Sequence, residues 1–200
     1  RHAVAAVPPA ARSLSAVTWN RVTRTDGFPL LRHTVFFSGD YRAEFDDIFR
    51  HRRLPQAPSV YVCAQDRDDC ALQPARGSER LLCLVNAPAD GDRTPLFAGD
   101  IERCESSTFR LLERCGLRMT HGADTCITTT PADFERLYPA TGGALYGEAS
   151  HGWRASFRRP GSRSRIPGLY LAGGSTHPGP GIPMAALSGR LAADCVMADR

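Results

Sequence analysis

Residues 169–193, LYLAGGSTHPGPGIPMAALSGRLAA, constrain the fold more than any other part of the chain. The apolar run over 166–174 reads as a buried strand entering a glycine turn. From Pro183 onward, Met184, Ala185, Ala186, Leu187, Gly189, Leu191, Ala192, Ala193 and Val196 make a helix of small residues. A strand, a glycine turn and a helix in that order aim the free N–H groups of a helix tip at an anion or at the polar edge of a cofactor. Glycines at 173, 174, 179 and 181 remove side chains where a backbone can approach a flat ring. A flavin suits such a cradle, because hydride arrival leaves negative charge on the ring edge that a helix dipole stabilises. A tight strand-to-helix connection in any α/β fold would read the same way.

Upstream, residues 34–37 read as a short strand. Asp40 opens a helix in which Tyr41, Phe45, Ile48 and Phe49 recur at helical spacing, with Arg50, His51, Arg52 and Arg53 in its last turn. Residues 59–64 and 80–87 are apolar runs separated by a polar loop, as expected of neighbouring strands covered on at least one face. Ile101, Cys104, Thr108, Leu111, Leu112 and Cys115 fall on one helical face, with Asp100 as the expected N-cap and Gly116 as the stop. Residues 119–129 read as extended. The sequence Thr130-Pro131-Ala132-Asp133 starts a helix that ends before Pro139.

Composition narrows the classes. A content of 42% hydrophobic residues over 200 residues supports a folded core. The net charge of +4 is spread among 21 acidic residues, so nucleic acid is not an expected partner. All positive charge apart from histidine is arginine, which weakens any argument from an individual arginine. Seven widely spaced cysteines without a C-x-x-C pair read as reduced thiols in a cytoplasmic setting, mostly buried as small apolar residues; no metal site is expected. No run reaches the ~20 apolar residues that span a bilayer. The first residues, RHAVAAVPPAAR, have the texture of a chain interior, so a fragment is expected.

The segment LYLAGGSTHPGPGIPMAALSGRLAAD resembles the C-terminal flavin-binding signature of the bacterial phytoene-desaturase family, with its G-x-x-T-H-P-G-x-G-x-P core. GGALYGEASHGWRASFRRPGSRSRIPGLYLAGG looks like the segment that precedes it. VYVCAQDRDD and RLLCLVNAPADGD resemble the hydroxyneurosporene and 1-hydroxycarotenoid 3,4-desaturase branch in particular. The resemblance runs from about residue 34 to 197. It implies an FAD enzyme of carotenoid biosynthesis that removes two hydrogens from a C–C bond of an acyclic carotenoid, one as hydride to the flavin and the other as a proton.

The implied fold is α/β, the C-terminal part of a two-domain FAD-dependent oxidoreductase. Residues 1–157 would belong to a sheet-and-helix substrate domain, and 158–200 would supply the last strand, turn and helix of the flavin domain. By the same analogy Gly173, Gly174, Ser175, Gly181, Ile182, Pro183 and Met184 would line the flavin. Tyr146, His151 and Trp153 would wall the substrate channel, although ordinary packing would place them equally well. No catalytic side chain is implied, and His177 is expected to contact the flavin or steady the turn. The G-x-G-x-x-G element that holds the ADP half of FAD is absent, and the glycines of 142–147 do not replace it, since they follow a helix and Pro139. This stretch alone is therefore not expected to turn over.

The substrate would dissolve in lipid, so peripheral contact with the inner membrane is expected, through the aromatic helix after Asp40 or the basic loop of Arg158, Arg159, Arg163 and Arg165. Packing of the aromatic stripe on a sheet, and a solvated turn for the arginines, are the plainer outcomes. An isomerase or retinol-saturase-like relative acting on another lipid, and a lipid-binding module without catalysis, remain alternatives. The sequence leaves the oligomeric state open.

Overall fold

The computed structural model describes residues 3–68, 77–94, 96–120, 125–149 and 158–199. Its centre is a six-stranded sheet built on a strand that the sequence patterns did not single out, β1 (Ser15–Gly27). The others are β2 (His33–Phe36), β3 (Val60–Ala64), β4 (Glu79–Ala87), β5 (Leu117–Thr120) and β6 (Cys126–Thr129). Their order is β2-β3-β4-β1-β5, with β6 also on β1, and every pairing is antiparallel. The expected neighbours over 59–64 and 80–87 are β3 and β4, with Val62 opposite Cys83.

Alternation gives the sheet two unlike faces. Val17 and Trp19 share one face with Val62, Ala64, Leu81, Cys83 and Val85, all buried in a single core. Helix α2 (Ala98–Arg114) contributes to that core through Cys104 and Leu112, with Thr108 also buried on the same stripe and Phe109 edge-on to Trp19. Burial pushes the Cys83 and Cys104 thiols up to about 12, so they remain protonated. Cys115 and Cys126 are exposed, against the expectation of general burial, and Cys70 lies outside the described residues.

Several boundaries differ from the sequence reading. α2 begins two residues before Asp100, whose carboxylate sits at the third helical position and accepts from the Phe97 amide. Helix α1 (Tyr41–Phe49) is capped by Asp40 as expected, but stops before the arginines. Its aromatic stripe does not pack on the sheet. Phe37, Tyr41, Phe45 and Phe49 form a ladder of ring contacts in which Phe37, Tyr41 and Phe49 are exposed, while Ile48 is buried. Helix α3 (Pro131–Leu137) has the expected box, Thr130 and Asp133 bonding each other's backbone.

Residues 166–174 do not form the expected strand. They make one bridge, Arg163 to Tyr170, and are half-buried or exposed, because a strand needs a continuous partner and the backbone bonds that cross to a neighbouring segment meet it only at Ser162 and Ser164.

The 142–147 glycines serve packing. Gly142 has φ +65°, and a Cβ there would overlap the Ala89 carbonyl and the Arg12 guanidinium, which itself grips Asp92 through two 2.7 Å bonds. Gly142→Ala is expected to destabilise the chain by about 2–4 kcal/mol, through overlap and left-handed strain together. Urea unfolding measures this, and an unchanged midpoint would contradict it.

Candidate functional site

The last helix, α4 (Ile182–Ala198), starts from Gly181, whose φ of +105° turns the chain into it. Gly173 has φ +127°, and a Cβ on either glycine would meet nothing within 4 Å. Backbone conformation thus demands these glycines, and open space lies beside both. Ala185 N–H donates to Gly181 O, which leaves the amides of Ile182 and Met184 at the tip without an intrahelical acceptor; Pro183 has none to offer.

Side chains that sequence reasoning missed hold the turn. Ser188, fully buried in the second turn of the helix, accepts from Gly173 N–H at 2.7 Å and donates to Ala185 O at 2.7 Å. Thr176 Oγ1 donates to Gly173 O at 2.8 Å. Arg159, only 5% exposed, donates to the carbonyls of Gly174 (3.2 Å), Tyr146 (2.8 Å) and Glu148 (2.9 Å). It clamps the glycine turn to the segment bearing Tyr146, and is not a headgroup-facing arginine. Arg163 is also committed: with Tyr170 it holds Asp199, whose carboxyl is drawn down to about 2 chiefly by the arginine. His177 is half-buried, and its amide donates to Pro160 O.

The expected cofactor residues are therefore gathered at one place. Gly173 and Gly174 form a half-buried floor, while Ser175, Gly181, Pro183, Met184 and the 88% exposed Ile182 form an open rim. Tyr146, 51% exposed, stands next to this rim, since its neighbour Gly147 is so close to Ser175 that a Cβ would approach its Oγ to 3.0 Å. His151 and Trp153 lie outside the described residues.

The Tyr146 segment is tied in turn to the residues that lead into β1, Tyr146 N–H donating to Ser13 Oγ and Leu145 N–H to Leu14 O, and so to the second face of the sheet. Strand register puts His33, Val35, Tyr61, Cys63, Leu82, Leu84, Val22 and Ile127 together on it. Val22, Val35 and Ile127 are exposed and the two leucines half-buried, with Asn20 between Leu82 and Ile127 and the exposed Arg80 opposite Val22, so this face is open and carries apolar side chains among polar ones. A groove of about 950 Å³ lies elsewhere, between α2 and residues 52–56, and shares no residue with the glycine turn. Among the described residues no group of three His, Cys, Asp or Glu is placed to hold a metal, and no helix is long and apolar enough to cross a membrane.

A glycine turn with open space beside it, feeding an exposed helix tip, is an arrangement that suits the polar edge of a flat cofactor. Residues 80–197 match the family model of flavin containing amine oxidoreductases, and the chain belongs to that family. More particularly, it is 61% identical over 198 residues to the hydroxyneurosporene desaturase of Rubrivivax gelatinosus, covering 99% of this chain and 38% of that protein. It is 42% identical over 188 residues to the hydroxyneurosporene desaturase of Cereibacter sphaeroides (94% of this chain, 37% of that one). With the 1-hydroxycarotenoid 3,4-desaturase of Flavobacterium sp. it shares 33% over 172 residues (84% and 35%). The chain thus spans little more than a third of the length of these relatives. The residues present fit a flavin: two glycine backbones with open space beside them and an exposed helix tip with unused amides.

Proposed function

We propose that this chain forms the substrate wall and the C-terminal flavin contact of an FAD-dependent desaturase acting on a hydroxylated acyclic carotenoid. The observation that carries the reading is the glycine turn with open space beside it, joined through Arg159 and the Tyr146 segment to the residues that lead into β1 and its open sheet face. A long polyene laid on Leu82, Leu84, Val35 and Ile127 would present one end to the rim of 173–184, and burial of this kind contributes about 25 cal/mol per Å².

Bound FAD would supply the hydride acceptor. Gly173, Gly174 and Ser175 would support one edge of it, and Gly181, Ile182, Pro183 and Met184 would bring up the positive end of the α4 dipole. Tyr146, with His151 and Trp153, would exclude water from the junction. In this reading residues 1–157 are the substrate-facing unit, and 158–200 return the chain to the flavin domain. Membrane contact falls to the aromatic ladder of α1 rather than to the arginines after it, because Arg50, Arg52 and Arg53 are each paired with an aspartate.

The test is a chimera in which this chain replaces the matching 38% of the Rubrivivax gelatinosus relative, a graft that aligns over 198 residues. Supplied with a hydroxylated acyclic carotenoid in membranes, it is expected to lengthen the conjugated system and shift absorption to the red. A chimera that retains its flavin and leaves the spectrum unchanged would overturn the reading.

A further inference from the structure

The open second face carries a polar pair beside its apolar side chains. Tyr61 Oη and His33 Nδ1 are 2.7 Å apart, with rings nearly parallel at 13° and centroids 6.0 Å apart. Strand register surrounds Tyr61 with Val35 and Leu84 on the neighbouring strands, and with Cys63 two residues along its own. Burial, followed by the Cys63 thiol and the nearby Tyr146, pushes the Tyr61 phenol up to about 12, so it remains a neutral O–H at physiological pH.

We propose that Tyr61, oriented by His33, anchors the hydroxyl of the substrate and makes the site prefer hydroxylated polyenes over plain hydrocarbons. This rests on the reading of the chain as a carotenoid desaturase.

Chemistry and position both support the assignment. If the phenol donates to Nδ1, its oxygen still accepts; if Nδ1–H donates to the phenol, the O–H still donates. Either tautomer leaves Tyr61 one hydrogen bond beyond the one with His33, and for it the weakly bonding Cys63 thiol is the only rival to an outside partner among the described residues that act on the phenol. An alcohol both donates and accepts, so it suits either arrangement and is a stronger partner than a thiol, whereas a hydrocarbon offers the phenol nothing and shuts it off from water. As for position, the Flavobacterium relative is a 1-hydroxycarotenoid 3,4-desaturase, and only C2 lies between the hydroxyl-bearing carbon and the bond that such a name describes. An anchor for that hydroxyl has to lie close to the hydride acceptor. Tyr61 meets this demand, because it lies level with Thr18 near the start of β1, where Tyr146 N–H donates to Ser13 Oγ, and the residue after Tyr146 abuts Ser175 of the glycine turn. Sequence reading gave no hint of the pair, which antiparallel register brings together across 28 residues.

The chimera described above decides the matter when given a hydroxylated acyclic carotenoid and, separately, the same polyene without its hydroxyl. The unsubstituted protein is expected to prefer the hydroxylated substrate. Tyr61→Phe keeps the ring and is expected to reduce the ratio of kcat/KM values by about 10- to 100-fold, mainly through KM on the hydroxylated substrate, with bound flavin unchanged. His33→Leu, at an exposed edge position where folding is not at stake, is expected to reduce the same ratio by about threefold or more. An active chimera whose preference survives both substitutions, or which shows none to begin with, overturns the anchor while leaving the desaturase reading intact. A flavin-bound chimera that desaturates neither polyene overturns the desaturase reading itself, and the anchor falls with it.

Discussion

Arg67→Met is expected to destabilise the chain by about 3–5 kcal/mol at pH 7, because it strands a carboxylate inside the fold. Arg67 and Glu79 are 3% and 1% exposed at their side chains, joined by bonds of 2.7 and 2.8 Å, with Thr25 also on the carboxylate and the Leu30 carbonyl on the guanidinium. Desolvation alone would raise the Glu79 carboxyl, but the bonds from Arg67 and Thr25 outweigh it and hold it below its ordinary value. A carboxyl lowered in the folded state gives stability that is present above its unfolded pKa, about 4.3, and is lost as pH falls through the folded value. Without Arg67 the sign reverses: desolvation goes largely unopposed, the carboxyl rises, and the folded state is favoured by acid. The deficit of the variant should therefore be smaller near pH 5 than at pH 7. Arg67→Met with Glu79→Leu should recover much of the loss, since an apolar pair carries no desolvation penalty. Urea unfolding of the three proteins at both pH values provides the check, and a deficit that does not vary with pH would show that the charge on Glu79 is not its cause.

The sequence made some elements legible because their signals are local. Thr130, Pro131 and Asp133 specify a helix start within four residues, and Gly116, with φ +90°, ends α2 where the pattern predicts. The glycine turn was legible for the same reason, since positive φ at Gly173 and Gly181 restricts the choice of residue wherever the rest of the chain lies. β1 was not, because polar Asn20, Arg21, Arg24 and Asp26 interrupt its apolar alternation, and its length follows from pairing with three partners distant in sequence. The strand expected over 166–174 failed for the converse reason: an apolar run cannot show whether a neighbour exists to pair with it. Arg67 and Arg159 were beyond reach in a chain whose only non-histidine cations are arginines, as a buried clamp and a solvated surface arginine look alike in sequence. Tyr61 and His33 belong with them, two ordinary strand residues made distinctive by register alone.

Arg159→Met in the chimera should cost at least tenfold in flavin retention, and this is the largest effect expected at the site itself. The guanidinium offers donors in a rigid planar fork, and here the fork spans two chain segments, meeting Gly174 on one side and Tyr146 and Glu148 on the other. Methionine fills the volume but leaves these carbonyls unmatched in a buried place, at about 1–3 kcal/mol for each one that water cannot reach. The cheapest relief is for the two segments to part, because the turn is otherwise held from its far side, by Ser188 and Thr176. Parting moves the floor at Gly173 and Gly174 relative to Tyr146, and a loss of about 1.4 kcal/mol of contact there is tenfold in affinity. The sheet core lies away from this clamp, so the thermal transition should fall far less than the flavin content. Arg159→Lys retains the charge but not the fork and should recover only part of the loss. The ratio of flavin to protein after gel filtration reads the effect directly. Full retention by the methionine variant would mean that Ser188 and Thr176 suffice to hold the turn, and that the clamp serves the Tyr146 segment alone.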